Sequence, residues 1–200
     1  MKIEIENKMK PFEAYSIALR KICPELSDEE IDFMFESITI TRLKPKELYV
    51  RIGEIQDNLA FSCKGLLRGF YINDKGEDIT IAFIKANNYA TDYGSFINKA
   101  PSTFSIEALE PCLLINIPYS SIQNSYLKFK NCEKYGRLIA EHHLIKVQNR
   151  IKEFLFNNAE QRYLNFIAKN SDILNRISIT HLSSFLGVKR QTLTRIRKKL

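Results

Sequence analysis

The last two dozen residues, Ile177 to Leu200, constrain the fold most, because two apolar-striped segments are separated by a single glycine. In the first, Ile179, Leu182 and Leu186 share one helical face; in the second, Leu193, Ile196 and Leu200 recur at helical spacing. Gly187 stands between them, where a left-handed residue ends one helix without Cβ strain and lets the next cross it steeply. Ser178 or Thr180 supplies an N-cap for the first helix. Lys189 occupies the expected cap position of the second, so that terminus must be satisfied by backbone, water or an anion. No acidic residue follows Asp172, whereas Arg176, Lys189, Arg190, Arg195, Arg197, Lys198 and Lys199 all do. An ordinary surface helix mixes signs.

The second helix therefore has an apolar face to bury and a polar face made of Arg190, Gln191, Thr194, Arg195 and Lys198, with Lys189 and Thr192 alongside. Guanidinium, carboxamide, hydroxyl and ammonium groups at that spacing read base edges in a groove and anchor phosphates. The net charge of +7 and the pI near 9.2 agree with a polyanionic partner, and the excess is concentrated at this end of the chain.

Two hundred residues with 44% hydrophobic content suffice for one medium domain or two small ones, each with a core, and disorder is excluded. No apolar run is long enough to span a membrane, and the polar start Met1 to Asn7 lacks a signal-peptide core, so a cytoplasmic protein without a membrane partner is expected. Cys23, Cys63, Cys112 and Cys132 are irregularly spaced and outline no metal or iron–sulfur site; reduced thiols are expected. His142 and His143 diverge by about a hundred degrees on a helix and cannot ligate one metal together from it. No catalytic constellation and no cofactor site is read.

Upstream, residues 12 to 22 read as a helix, and Ser27-Asp-Glu-Glu30 is a capping box before Ile31, Met34, Phe35 and Ile38. From about Ile38 to Pro118 the texture is β, with short runs at Glu47 to Ile52, Leu66 to Ile72, Ile79 to Phe83 and Cys112 to Ile117. Asn73-Asp-Lys-Gly76 reads as the loop of a β-hairpin. A long helix then runs from about Cys132 to Phe156, with Ala140, Leu144, Val147, Ile151 and Phe154 in a coiled-coil-like seam. A second stripe, Tyr135, Leu138, His142 and Ile145, is positioned to pack on the β module. A helix at about Ala159 to Asn170, burying Tyr163, Leu164 and Phe166 or Ile167, completes a three-helix unit.

This order of elements, ending Leu-Thr-Arg-Ile-Arg-Lys-Lys-Leu, resembles the Crp/Fnr family of bacterial transcription regulators over nearly the whole chain. The resemblance implies an α+β fold: a double-stranded β-roll of the cyclic-nucleotide-binding type, a long dimerisation helix and a C-terminal winged-type helix-turn-helix. Residues 1–130, 131–156 and 157–200 would be the three parts. It puts Gly187 at the family's turn glycine and Arg190, Gln191 and Arg195 among its base-contacting positions. It also puts Lys64-Gly65 at a strand turn and Asp92-Tyr93-Gly94-Ser95-Phe96 in the phosphate-cassette region, with Ser102 and Thr103 completing an effector pocket. Cyclic-nucleotide binders of the family carry Gly-Glu-Leu and then Arg-Ser or Arg-Thr. Here Thr91-Asp92-Tyr93 and Ser102-Thr103 stand instead, with Ser102 at the arginine position. A buried cyclic phosphate would lack its guanidinium, so tight binding of cAMP or cGMP is not expected.

A regulator of this kind acts as a homodimer on a palindromic double-stranded operator. RNA polymerase is a possible further partner, and the identity of any small-molecule effector stays open. Two rival readings are weighed against it. One is a ligand-sensing or scaffolding β-roll whose basic tail docks on a protein or membrane surface; the helix–turn–helix spacing argues against it. The other is a small-barrel enzyme, which needs His and carboxylates inside the roll, whereas His142, His143 and His181 all lie outside it.

Overall fold

The computed structural model describes the backbone of residues 2–199 and the side chains of residues 11–199; Leu200, expected in the apolar stripe, lies outside the described residues. The chain opens with α1 (Lys2–Ile22), which continues through Pro11 and so begins well before the expected residue 12. Next comes α2 (Asp28–Phe35), whose capping box is formed as expected: Ser27 Oγ accepts from the Glu30 amide, and the Glu30 carboxylate accepts from the Ser27 amide.

Eight antiparallel strands follow: β1 (Thr39–Leu43), β2 (Leu48–Val50), β3 (Asn58–Lys64), β4 (Leu66–Ile72), β5 (Asp78–Lys85), β6 (Asn88–Ala90), β7 (Ser105–Ala108) and β8 (Cys112–Pro118). A short helix, α3 (Tyr93–Asn98), interrupts them after β6. The strands form two sheets, in the orders β1-β8-β3-β6 and β2-β7-β4-β5. Alternation decides which side chains meet between them. Ala60, Leu67, Ala90, Ile106, Ala108 and Leu114 fill the space between the sheets, while Phe61, Ile115 and Ile117 point outward. That outer face is covered by Tyr15, Leu19, Leu26 and Ile31 of the N-terminal segment and by Cys132 and Tyr135. The Asn73–Gly76 loop joins β4 to β5 as expected, with the Asn73 carboxamide oxygen accepting from the amides of Lys75 and Glu77.

After the roll, α4 (Tyr119–Lys128) is separated from α5 (Lys130–Phe156) by a single extended residue, Phe129. Then come α6 (Ala159–Asn170), a 3-10 turn at Ser171–Ile173, α7 (Ile179–Phe185) and α8 (Arg190–Lys199). No strand follows β8 among the described residues, so the expected winged form of this unit is corrected. The segment between α6 and α7 turns through a helical Ser171-Asp-Ile instead of extending into a strand. Two details of packing also differ. Tyr163 and Phe166 of α6 are buried, but Leu164 is 43% exposed, because it falls on the opposite side of the helix. On α5, Tyr135 and Leu138 pack on the roll, whereas His142 and Ile145 of the same expected stripe are exposed.

Candidate nucleic-acid interface and effector region

The geometry of α7 and α8 follows from their caps. Ser178 Oγ accepts from the His181 amide at 3.0 Å and starts α7. Gly187 ends it in the left-handed region, φ +64°, with its amide donating to Ser184 O and the Val188 amide to Ser183 O. Leu182, Leu186, Leu193 and Ile196 are thereby buried together with Tyr163, Phe166 and Ile173. The outward face of α8 carries Arg190, Gln191, Thr192, Arg195, Arg197 and Lys198, all exposed, with exposed Lys189 at its start. Thr194 is half-buried, and its hydroxyl donates to the Arg190 carbonyl. The chain thus brings the expected reading residues to one surface that carries no carboxylate.

Two arginines that sequence reading missed, Arg150 at the end of α5 and Arg162 on α6, meet the C-terminus of α7. Arg150 donates to the carbonyl of Phe185, and Arg162 Nε donates to that of Leu186 at 3.0 Å, both at the C-terminus of α7. Cations there complement free carbonyls and the helix dipole. The Arg150 guanidinium also lies 3.7 Å from the centre of the Phe185 ring and 4.4 Å from that of Phe154. Burial lowers its pKa to about 10. Phe154, expected in a seam facing a second chain, touches the turn while staying 42% exposed: a Cβ placed on Gly187 would lie 2.7 Å from its ring. These contacts span 24 to 35 residues and leave no local pattern.

The helical unit is also fastened to the roll. The Thr80 amide donates to Ser184 Oγ at 2.8 Å, and that hydroxyl donates to the Asp78 carbonyl at 3.1 Å. Phe83 of β5 stacks against Phe166 and Phe185, and Leu66 and Leu109 join the same core. Arg176 forms a two-point contact with Glu110, at 2.6 and 3.0 Å, so it is committed to docking. Beneath this interface Arg68, 4% exposed, binds both oxygens of Asp78, one oxygen of Glu107 and the Thr80 hydroxyl. A buried cation with three such partners is well compensated.

In the cassette region, Asp92, Ser102 and Thr103 do converge, but on one another. Asp92 Oδ2 accepts from the Thr103 amide at 2.8 Å, the Thr103 hydroxyl at 2.7 Å, the Ser95 hydroxyl at 3.0 Å and the Ser102 hydroxyl at 3.4 Å. Burial raises the Asp92 pKa, yet the hydrogen bonds from Thr103 and Ser95 outweigh it and leave the carboxyl below its ordinary value. The carboxylate expected to meet a sugar is therefore occupied as a structural cap for α3 and the 102–103 turn. Gly94 is exposed, and Tyr93 turns toward α5, its ring centre 5.3 Å from that of His143. Among the described residues no group of His, Cys, Asp and Glu could hold a metal ion, and no helix is long and apolar enough to cross a membrane.

The cyclic nucleotide-binding domain family matches residues 40–128. No curated protein sequence matches the chain. Solved structures do. The c-di-GMP-responsive global regulator CLP of Xanthomonas campestris is 15% identical, with a TM-score of 0.69 over 86% of this chain and 91% of that one. FixK2 of Bradyrhizobium japonicum is 16% identical, with a TM-score of 0.68 over 82% and 84%. A transcriptional regulator of the Crp/Fnr family from Eubacterium rectale is 17% identical, with a TM-score of 0.68 over 88% and 84%. Residues 40–128 thus match the cyclic nucleotide-binding domain family, and the fold of the chain is similar to that of these solved regulators.

Proposed function

We propose that this protein is a sequence-specific, DNA-binding transcriptional regulator that acts as a homodimer and does not respond to cAMP or cGMP. The observation that carries the reading is α8: it buries Leu193 and Ile196 while presenting Arg190, Gln191, Arg195 and Lys198 on a face free of carboxylates. Arg190 and Arg195 read guanine edges or clamp phosphate, Gln191 favours adenine or a mixed contact, and Lys189, Arg197, Lys198 and Lys199 anchor the backbone. Residues 1–130 serve as the input domain, 131–156 as the connecting helix and 157–200 as the output unit.

Support for the dimer comes from α5. Residues 141–149 are exposed, with the His143 ring set beside Tyr93, and Leu144, Val147 and Ile151 line up on one side of this part of the helix. Apolar side chains in such a row lose water when two copies pair, and pairing sets two reading helices about one turn of DNA apart. Selection of bound sequences from random oligonucleotides tests the reading directly. A palindrome with half-sites about 10 base pairs apart is the expected result; a pool with no enriched motif overturns it.

Insensitivity to cyclic nucleotides rests on Asp92 being spent within the cassette and on Ser102 standing where a cation is needed. Calorimetry with cAMP and cGMP is expected to give no tight binding, and micromolar affinity for either would refute the claim.

A further inference from the structure

One hollow that the regulator reading does not use lies outside the roll. A cleft of about 340 Å³ opens between the outer face of β3 and β8, helix α3, and the elbow where α4 meets α5. Its walls are mainly apolar, from Leu59, Ile117, Phe96, Ile122 and Ile139. Its polar groups include five tyrosine hydroxyls. Those of Tyr15, Tyr89 and Tyr135 form a chain, 3.0 Å and 2.6 Å between neighbours. Three phenols linked in a row use two of their three protons, so one O–H remains free to donate. Burial holds Tyr15, Tyr89 and Tyr135 protonated, raising each above the ordinary phenol value.

A fourth phenol is placed with equal care. The Tyr126 side chain lies across α5 against Gly136, where any Cβ would collide with its hydroxyl. That hydroxyl makes no hydrogen bond to another described residue, and burial pushes its pKa up to about 12, so it too is a neutral donor. At the rim, Glu133 and Arg137 bring opposite charges, and Arg137 is already bonded to Glu141 at 2.7 Å. The opening therefore does not select an ion.

We propose that this cleft is a binding site for a neutral, planar aromatic molecule of about ten to fifteen non-hydrogen atoms that carries a hydrogen-bond acceptor. Its ring lies among the aliphatic and aromatic walls, and its acceptor takes a proton from Tyr126 or from the free end of the tyrosine chain. An occupant touches α3, α4 and the root of α5 at once, across the extended Phe129 that separates the two helices. Because α5 carries α7 and α8, the site names an input for the regulator and rests on that reading for its consequence, though not for binding itself.

The chain contains no tryptophan, so the fluorescence of a bicyclic phenol can be followed without a protein indole background. The test titrates 2-naphthol with the full-length protein in the absence of DNA. Saturable binding at one probe per chain is expected. Ser125→Phe, which fills the cleft from a buried position, and Ser121→Phe, which fills it from the half-exposed start of α4, should each weaken binding tenfold or more. Tyr126→Phe should weaken it severalfold while leaving the melting temperature close to wild type. A flat isotherm overturns the site, as does binding that persists in both filled variants while they melt like wild type. Loss of binding in Leu144→Asp, with Ser121→Phe unaffected, overturns it as well and moves the probe to the exposed seam of α5. Failure to bind DNA would overturn the regulator reading and leave this isotherm untouched.

Discussion

Single residues divide sharply into those whose task shows in local spacing and those whose task needs the fold. The exposure of Arg190, Gln191 and Arg195 was legible because residues off the Leu193 and Ile196 stripe of an amphipathic helix must face solvent. Arg195→Ala is expected to relax sequence preference at a cost of about 1 to 3 kcal/mol, whereas Lys198→Ala should weaken all sequences alike and flatten the salt dependence. Binding titrations on cognate and scrambled duplexes at two salt concentrations check both; uniform losses in both variants would contradict the assignment of readers. Gly187 was legible too, but not its second constraint, the Phe154 ring packed against it. Gly187→Ala places a side chain at φ +64° and against that ring, so a loss of about 1 to 2 kcal/mol is expected in urea unfolding. Arg150 and Arg162 could not be read, since a cation caps a distant helix only once the chain has folded back. Asp92 was legible as a carboxylate in the right loop, but its commitment to Ser95 and Thr103 was not.

At the scale of elements, periodicity located the long helix to within two residues of its start and placed its end at Phe156. Periodicity does not say what covers a stripe. Tyr135 and Leu138 found the roll, Phe154 found the turn of the reading unit, and Leu144, Val147 and Ile151 remain at 57%, 41% and 54% exposure. Phe154 is itself 42% exposed, so it stays available to the proposed dimer seam beside Leu144, Val147 and Ile151. Leu144→Asp sets two carboxylates against each other in a paired helix but leaves the folded protomer untouched, because its side chain has little to lose there. Sedimentation should show a monomer with an unchanged melting temperature, and affinity for a full palindrome should fall to that for a half-site. A dimer that survives Leu144→Asp would place the partner elsewhere. Strands β1, β3, β6 and β7 and the helices α3 and α4 were not individually legible. Segments as short as Asn88–Ala90 carry too few residues to show a period, and their pairing is decided by neighbours across the sheet.

Over the whole molecule, the order roll, long helix and C-terminal three-helix unit was legible, but the fastening of the last to the first was not. That fastening makes folding sensitive to pH in a defined window. His181 on α7 lies near the Arg68 cluster, and its Nδ1 is buried without a hydrogen-bond partner. Burial lowers its pKa, the Arg68 charge lowers it further, and Asp78 and Glu107 only partly offset this. The His143 imidazole is likewise held down, by burial and by the neighbouring Lys146 and His142. A histidine whose folded pKa lies below its unfolded value binds more protons when unfolded, so its full contribution is present above about pH 6.5 and is lost as pH falls through that region. Asp92 has the opposite placement: its contribution persists until pH drops below about 4, the ordinary carboxylate value, and is lost below that. Urea unfolding between about pH 7.5 and 5.5 therefore isolates the histidines. Wild type should lose stability across that interval, and His181→Asn should lose less, with the difference reporting protonation at the joint between roll and reading unit. If the two curves run parallel, Arg68 does not oppose a charge on His181, and the coupling of the two parts rests on the other contacts between them, among them Phe83, Ser184, Arg176 and the Lys85–Asp172 ion pair.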